Sequence, residues 1–473
     1  MKWNTVACFC LLAAGLLCPV IGYGEVYSRA PEVLPWILPE MNTPEYWIAH
    51  AKNPNEVIMT PGEIKAMNDD YIRRITAPDP FGYLPPEIRP DLFYWWPGLV
   101  TFAPDLHRLS LKAVADTVKF RLRAELNFLR SMKFGNALAV EYSEKDLIAL
   151  ETNMAYNLVG DGVTVRDGIA VRNARLRNNT SFFPEQVGMM QTGKSRWDGW
   201  NIGIVKIGSP VSVLHRSRDG EYLFVLSDLA YGWVRSEDIA FGSRKDIEAF
   251  AKAEPFILCT SDRVNFYAEQ ECWYASGWFG MSARLPLVSA GNPRQVKVPV
   301  RKTDGSLAVE TAWLAENANV HIGLLPYTRR NIIETAFKLI GTTYDWSGAW
   351  YGRQHETIYQ DIFACFGFRL PNYAALFSFY GDDREVIKPE IGKVRQYEAI
   401  LKHEPFVTIQ NCGAHAQILL GDFNGMPIVF DQHGYGYIDS NSMDREIRRC
   451  HVGDVSMPPY FLTKKVMFLR LGK

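Results

Sequence analysis

The spacing of apolar side chains changes twice along the chain and divides it into three parts. Before residue 157 apolar positions recur at helical intervals, as in Leu111 to Met132, where Val114, Val118 and Leu122 form one stripe. From about 158 to 320 apolar and polar positions alternate, which predicts strands. The helical spacing returns at Arg329. The pattern therefore predicts an α+β protein with a helical start, a β-rich middle and a mixed C-terminal part.

The first residues have the pattern of an export signal. Lys2 is followed by an apolar run from Val6 to Val20 and then by small residues up to Gly24. This order predicts a secretory signal peptide over residues 1–24, and hence an exported, periplasmic or envelope-associated protein. A lipid anchor at Cys18 is disfavoured because a large residue precedes it. No later stretch is long enough to span a bilayer.

Residues 25–157 are predicted to form a helical N-terminal arm. Thr60-Pro61-Gly62-Glu63 is a capping box that opens one helix, and Ser143 with Asp146 three residues later opens another. An aromatic run at 93–96 is expected to pack on a neighbouring domain, with a glycan site as the alternative.

The middle of the chain predicts two small β-barrels, at 158–242 and 250–323. Asp219-Gly220 and Asp304-Gly305 mark tight hairpins between alternating segments. The polar stretch from Arg175 to Gly199 is interpreted as a long loop.

The C-terminal part, residues 324–473, begins with two helical segments joined by an aromatic, glycine-containing loop. The first segment ends at Gly341, and the second runs from about Glu356 to Phe366. Asn424-Gly425 predicts a hairpin turn, and Val466 to Leu471 a closing strand.

Several motifs in this part resemble the NlpC/P60 family of cell-wall cysteine peptidases, in particular the members that carry two bacterial SH3 domains ahead of a papain-like domain. The resemblance rests on Thr328-Arg329-Arg330-Asn331, Tyr344-Asp345-Trp346-Ser347-Gly348, Asp361-x-Phe363-x-x-Phe366-Gly367-x-x-Leu370-Pro371 and His415-Ala416-Gln417-Ile418-Leu419-Leu420-Gly421. It implies an arm, two SH3-like barrels and a papain fold. It also implies an origin in γ-D-glutamyl-diamino acid endopeptidases that act on peptidoglycan.

The same resemblance places the family's Asp-Cys-Ser on Gln354-His355-Glu356, so that a histidine stands at the nucleophile position. His415 takes the position of the catalytic base. The residue that orients this base is Asp431 or His433. The implied substrate contacts are made by the side chains of Tyr344, Trp346, Gln354 and Glu356.

Composition narrows the possible partners. The formal net charge is −1, with 22% charged residues, so no overall field favours nucleic acid or an anionic membrane. Cys259 and Cys272 could form a disulfide, which sequence alone cannot establish. Cys365 lies in an apolar pattern and is expected to be a buried small side chain.

Three hypotheses about function remain open. The first is a protein without catalytic activity or cofactor that binds peptidoglycan, its stem peptides or a protein partner. The second is a hydrolase with rebuilt chemistry, for instance with zinc held by His355, His415 and Asp431 or His433. The third is a scaffold whose barrels bind while Tyr351 or Arg353 fills the former cleft.

Overall fold

The structure is a computed structural model, and it describes most of the chain from residue 34 onward. The described ranges are 34–77, 106–131, 134–135, 140–181, 189–192, 195–227, 230–371, 374–377, 379–381, 385–413, 415–434, 436–438, 444–458 and 460–472. The predicted signal peptide and the aromatic run at 93–96 lie outside these residues. Helices and separate antiparallel sheets together confirm the α+β class.

Apart from α5 (Arg244–Ala251), which joins the two barrel segments, the α-helices of the described part lie before and after the β-rich middle. They are α1 Pro44–His50, α2 Pro61–Ile75, α3 Leu111–Ser131, α4 Glu144–Met154, α5 Arg244–Ala251, α6 Arg329–Phe337, α7 Thr357–Ala364, α8 Ala374–Phe377 and α9 Lys393–Ile400. The predicted capping boxes open α2 and α4, where each N-cap hydroxyl accepts a hydrogen bond from the third helical N–H.

The first barrel segment contains a seven-stranded antiparallel sheet in the order β10-β2-β7-β8-β9-β3-β6. Its strands are β2 Arg166–Ala170, β3 Ala174–Arg177, β6 Asn201–Val205, β7 Pro210–Arg216, β8 Tyr222–Ser227, β9 Ala230–Arg235 and β10 Ile239–Phe241. The turn between β7 and β8 contains Gly220 with a φ of 77°, a conformation that favours glycine.

The prediction of one long loop from Arg175 to Gly199 was wrong. The stretch includes most of β3 and a hairpin of two short strands, one of which pairs with a strand of the arm. This small sheet consists of β1 Phe134–Gly135, β4 Met189–Thr192 and β5 Ser195–Asp198. Arg177 and Asp198 of this polar segment form a buried ion pair, with Nη1 2.6 Å from Oδ2, so polarity did not indicate exposure at these two positions.

The second barrel segment contains another seven-stranded antiparallel sheet, in the order β13-β12-β16-β15-β14-β11-β17. Its strands are β11 Phe256–Cys259, β12 Arg263–Tyr267, β13 Ala275–Gly280, β14 Arg284–Ser289, β15 Arg294–Arg301, β16 Leu307–Leu314 and β17 Val320–Ile322. The hairpin predicted at Asp304-Gly305 joins β15 to β16 in continuous register from Arg294 with Leu314 to Arg301 with Leu307.

The C-terminal domain packs α6 and α7 against a six-stranded sheet in the order β18-β25-β19-β20-β21-β24. The strands of this domain are β18 Val386–Ile387, β19 Thr408–Asn411, β20 Ala416–Phe423, β21 Met426–His433, β22 Gly436–Ile438, β23 Asp444–Glu446, β24 Arg449–Asp454 and β25 Val466–Arg470. The buried Tyr359 of α7 donates its hydroxyl to the backbone oxygens of Ala416 (3.0 Å) and Phe430 (3.1 Å). This contact fixes α7 over the start of β20 and the middle of β21.

The N-terminal arm closes onto the C-terminal domain, although more than 250 residues separate them. The Ile58 N–H donates to the Tyr327 carbonyl at 2.9 Å. In α2, Asn68 Nδ2 donates to the Gly367 carbonyl at 2.9 Å across 299 residues. Trp47 of α1 is buried against Phe406, with ring centroids 6.4 Å apart. The arm is therefore part of the hydrophobic core of the C-terminal domain.

The long helix α3 attaches the arm to the first barrel. Trp233 of β9 is fully buried, and its Nε1 donates to the Glu125 carboxylate at 3.1 Å. Burial raises the pKa of Glu125 well above its ordinary value, even though this hydrogen bond acts in the opposite direction. Within the described residues, no helix is both long enough and apolar enough to cross a membrane.

Candidate functional site

His355 lies in the turn that starts α7. The Gln354 carbonyl accepts a hydrogen bond from Ile358 N at 3.0 Å, so the chain is already turning into the helix at this point. The His355 ring is 4% exposed, and its Nε2 lies 3.0 Å from a carboxylate oxygen of Glu356. It stacks on Tyr344, with ring centroids 6.2 Å apart.

His415 lies just before β20 and faces this turn. The ring centroids of His355 and His415 are 4.4 Å apart, although sixty residues of sequence separate them. The structure thus brings together the side chains assigned from sequence to the nucleophile and base positions.

Asp431 of β21 holds the His415 ring. Nε2 of His415 lies 2.9 Å from both carboxylate oxygens of Asp431, and both side chains are completely buried. Burial lowers the pKa of His415 despite the neighbouring carboxylate. For Asp431, burial alone would raise the pKa, but the hydrogen bond from His415 and the electrostatic effect of the His415, His451 and His433 imidazoles lower it overall.

These protonation states set the tautomer of His415. A neutral imidazole that donates from Nε2 to an ionised Asp431 keeps its lone pair on Nδ1. A general base needs such a lone pair. His415 and Asp431 are therefore arranged as a base and an orienting carboxylate would be, and the His355 side chain faces them.

Sequence reasoning left the orienting residue open between Asp431 and His433. Asp431 makes the direct contact with His415, whereas the His433 ring centroid lies 5.3 Å from that of His415. Burial lowers the pKa of His433 well below its ordinary value. Ligand atoms of His415, Asp431 and His433 all lie within 4.8 Å of one another, a spacing that a metal ion could bridge.

The four predicted substrate contacts lie around this turn, and three of them are buried. They are Tyr344, Gln354 and Glu356, whereas Trp346 is half-buried. Gln354 Oε1 accepts a hydrogen bond from Ser347 N at 3.0 Å, so this amide organises the preceding loop.

Two side chains that sequence analysis proposed as fillers of the cleft have other partners. The Arg353 guanidinium forms ion pairs with Asp262 of the second barrel and Asp361 of α7. Tyr351 packs edge-on against Trp278, with ring centroids 5.5 Å apart. Both therefore lie where the C-terminal domain meets the barrels.

A charged cluster at this junction could not be predicted from sequence. Asp361 binds Arg353 through Oδ2 at 2.7 Å and also pairs with Lys206 of the first barrel, while Arg353 also binds Asp262. We call Lys206, Asp262, Arg353 and Asp361 the interdomain clamp. The clamp joins both barrels to Arg353, two positions before His355. A cavity of about 260 Å³ lies beside the clamp.

The described cysteines are free thiols. The proposed Cys259–Cys272 disulfide is not formed. Cys365 is buried at the end of α7, where its Sγ contacts the Asp361 carbonyl at 3.5 Å. Burial raises the pKa of this thiol to about 12, so it is protonated at neutral pH.

Known proteins share this architecture. Residues 191–235 match the family described as SH3 domain (SH3b1 type). An NlpC/P60 endopeptidase from Photobacterium damselae subsp. piscicida has a TM-score of 0.68 and 15% identity, over 90% of this chain and 96% of that one. The chain has the NlpC/P60 endopeptidase fold. An NlpC/P60 family protein from Bacillus cereus is similar at a TM-score of 0.40 and 16% identity, over 58% of this chain and 83% of that one. No curated protein matches the sequence.

Proposed function

We propose that this protein is exported to the cell envelope and binds peptidoglycan stem peptides there, or a protein partner, without cleaving them. The observation that supports this proposal is the imidazole of His355 facing His415, in the position where a thiol would have to stand. Attack on an amide by imidazole gives an acyl-imidazole, which is labile, and the ring differs from a thiolate in geometry.

The residues beside His355 support the same conclusion. Gln354 takes the place of the aspartate that, by the resemblance, binds the free amine of the stem peptide, and an amide provides no charge for that ion pair. Glu356 occupies the position of a serine, and its carboxylate lies 3.0 Å from His355. Together, the three changes alter both the nucleophile and the substrate contacts.

The test is a sedimentation assay of the purified full chain with peptidoglycan sacculi, combined with mass spectrometry of the released muropeptides. We expect the protein in the pellet and no release of muropeptides cleaved at γ-D-glutamyl-diamino acid bonds. Release that disappears in His415→Ala would overturn the non-cleaving function. Absence of the protein from the pellet would refute peptidoglycan binding and would favour a protein partner as the ligand.

A restoration experiment tests the cause of inactivity. His355→Cys alone is expected to recover little cleavage, because Gln354 still lacks the charge for the amine. Gln354→Asp, His355→Cys and Glu356→Ser together are expected to recover more. Cys365→Ala in the triple variant is the matched control and should change nothing, since this thiol is buried at the far end of α7. Loss of recovered activity in that control would show that the nucleophile was misassigned.

A second candidate is a hydrolase whose chemistry depends on a metal ion. It is favoured by the close approach of His415, Asp431 and His433. Cleavage of muropeptides that a chelator abolishes and zinc restores would support it. Cleavage that persists in the chelator would exclude it.

A further inference from the structure

Two imidazoles and one carboxylate converge within the candidate site. His415, Asp431 and His433 are each fully buried, and one ligand atom from each lies within 4.8 Å of the other two. His355 is not one of these three residues, and its Nε2 lies 3.0 Å from Glu356. The group therefore differs from any set that includes the nucleophile position.

The sheet itself produces this convergence. Asp431 and His433 are two residues apart on β21, so their side chains leave the same face of the strand. His415 precedes β20, the neighbour of β21, in which Ile418 pairs with Phe430. Continuing that register brings His415 alongside the end of β21. Asp431 and His433 are thus fixed on a strand that pairs with β24, and the His415 carbonyl accepts a hydrogen bond from Cys412 N at 2.9 Å.

Two buried glutamines also fix the position of the Asp431 carboxylate. Gln417 Nε2 donates to Oδ2 of Asp431 at 3.0 Å, and Gln410 Nε2 donates to Oε1 of Gln417 at 3.2 Å. Both amides are fully buried, on β20 and β19. A chain of hydrogen bonds that fixes a carboxylate is the kind of support that metal ligands receive from their surroundings.

We propose that His415, Asp431 and His433 bind one divalent transition-metal ion of the zinc type. Nitrogen donors favour such an ion over calcium or magnesium, which prefer oxygen ligands. Two neutral imidazoles and a carboxylate leave the site with a net charge of +1 when a divalent ion is bound. Three protein ligands leave one coordination position for water. An ion held by His415 and Asp431 would replace the hydrogen bond between them, so His415 would serve as a ligand and not as a base while the ion is bound.

The test is metal binding by the full chain after treatment with a chelator. Cobalt(II) is the first probe, because its visible absorption reports tetrahedral coordination, and zinc(II) titrated by calorimetry is the second. We expect one equivalent of metal per chain, with zinc displacing cobalt. The melting temperature should rise with zinc concentration, because the folded state alone has the site.

Paired variants identify the ligands. His433→Gln and Asp431→Asn are expected to weaken binding at least tenfold, whereas His355→Ala should bind as the wild type does. Glutamine and asparagine keep the side chains polar and of similar size, and far-UV circular dichroism establishes that each variant is folded. Three results would overturn the proposal: no stoichiometric binding by the folded wild type, binding unchanged in folded His433→Gln, or binding lost in His355→Ala. Metal binding and sedimentation with peptidoglycan are measured separately, so the metal site and the proposed function can each be refuted without the other.

Discussion

Replacing Asp345 with asparagine is expected to stabilise the protein above pH 7 and to leave its stability unchanged near pH 4. Asp345 lies in the loop before His355, and its Oδ2 accepts hydrogen bonds from Trp350 N (2.6 Å) and Gly352 N (2.9 Å). The side chain is buried, and burial raises its pKa from 3.8 to about 7 against the effect of these bonds. Asparagine keeps an acceptor oxygen but cannot ionise.

The direction of this pH dependence follows from proton binding by Asp345. Because the pKa of Asp345 is higher in the folded than in the unfolded protein, the folded state binds the proton more tightly. The resulting stability is fully present below pH 4 and is lost as the pH rises through about 7. The difference between the two pKa values corresponds to about 4 kcal/mol. The free energy of unfolding of Asp345→Asn should therefore exceed that of the wild type by up to about 4 kcal/mol at pH 8.

The assay is urea unfolding, followed by tryptophan fluorescence, of the wild type and Asp345→Asn between pH 4 and pH 8. All other titrating groups are shared, so they cancel in the difference between the two proteins. Glu334→Gln, which changes an exposed carboxyl group on α6, is the control and should give a small difference that does not vary in this way. A difference for Asp345→Asn that is the same at pH 4 and pH 8, or that grows toward acid, would refute the reasoning.

Three further substitutions test the contacts that hold the domains together. Asp361→Asn should lower the free energy of unfolding by about 2–3 kcal/mol, because it leaves two cations of the interdomain clamp without their shared anion; an effect as small as that of Glu334→Gln in urea unfolding would contradict this. Thr60→Ala should cost about 1 kcal/mol by removing a capping box, measured by thermal unfolding, and an unchanged melting temperature would count against it. Trp233→Phe should cost about 1–3 kcal/mol, since it removes the hydrogen bond to the half-buried carboxyl group of Glu125. Equal urea midpoints for Trp233→Phe and the wild type would show that this bond does not stabilise the arm.

Features that depend on neighbours in sequence were predictable. The capping boxes at Thr60 and Ser143 and the hairpin at Asp304-Gly305 follow from local hydrogen bonds and backbone preferences, and the structure contains all three. Motif spacing also led to the pairing of His355 with His415. That inference needed the resemblance, because nothing local in the sequence links two residues sixty positions apart.

Features made by residues from separate segments were not predictable. Lys206, Asp262 and Asp361 belong to three different parts of the fold, and no periodicity or motif indicates that they meet. The role of Asp345 depends on how a loop folds back over its carboxylate. The strands within 175–199 were missed because burial of the pair Arg177 and Asp198 is a property of the folded barrel and leaves no apolar pattern.

The closure of the arm onto the C-terminal domain has a consequence for how the chain folds. During synthesis the residues that bury Trp47 and bind Asn68 emerge last, since Gly367 and Phe406 lie some 300 residues or more downstream. Contacts of such long sequence separation slow folding, because a large loop must close before they form. Until then the apolar side of α1 and the matching surface of the unfinished core stay exposed. Completion of the C-terminal domain is therefore the step that ends this exposure, and truncation before residue 400 would leave Trp47 without Phe406 to pack against.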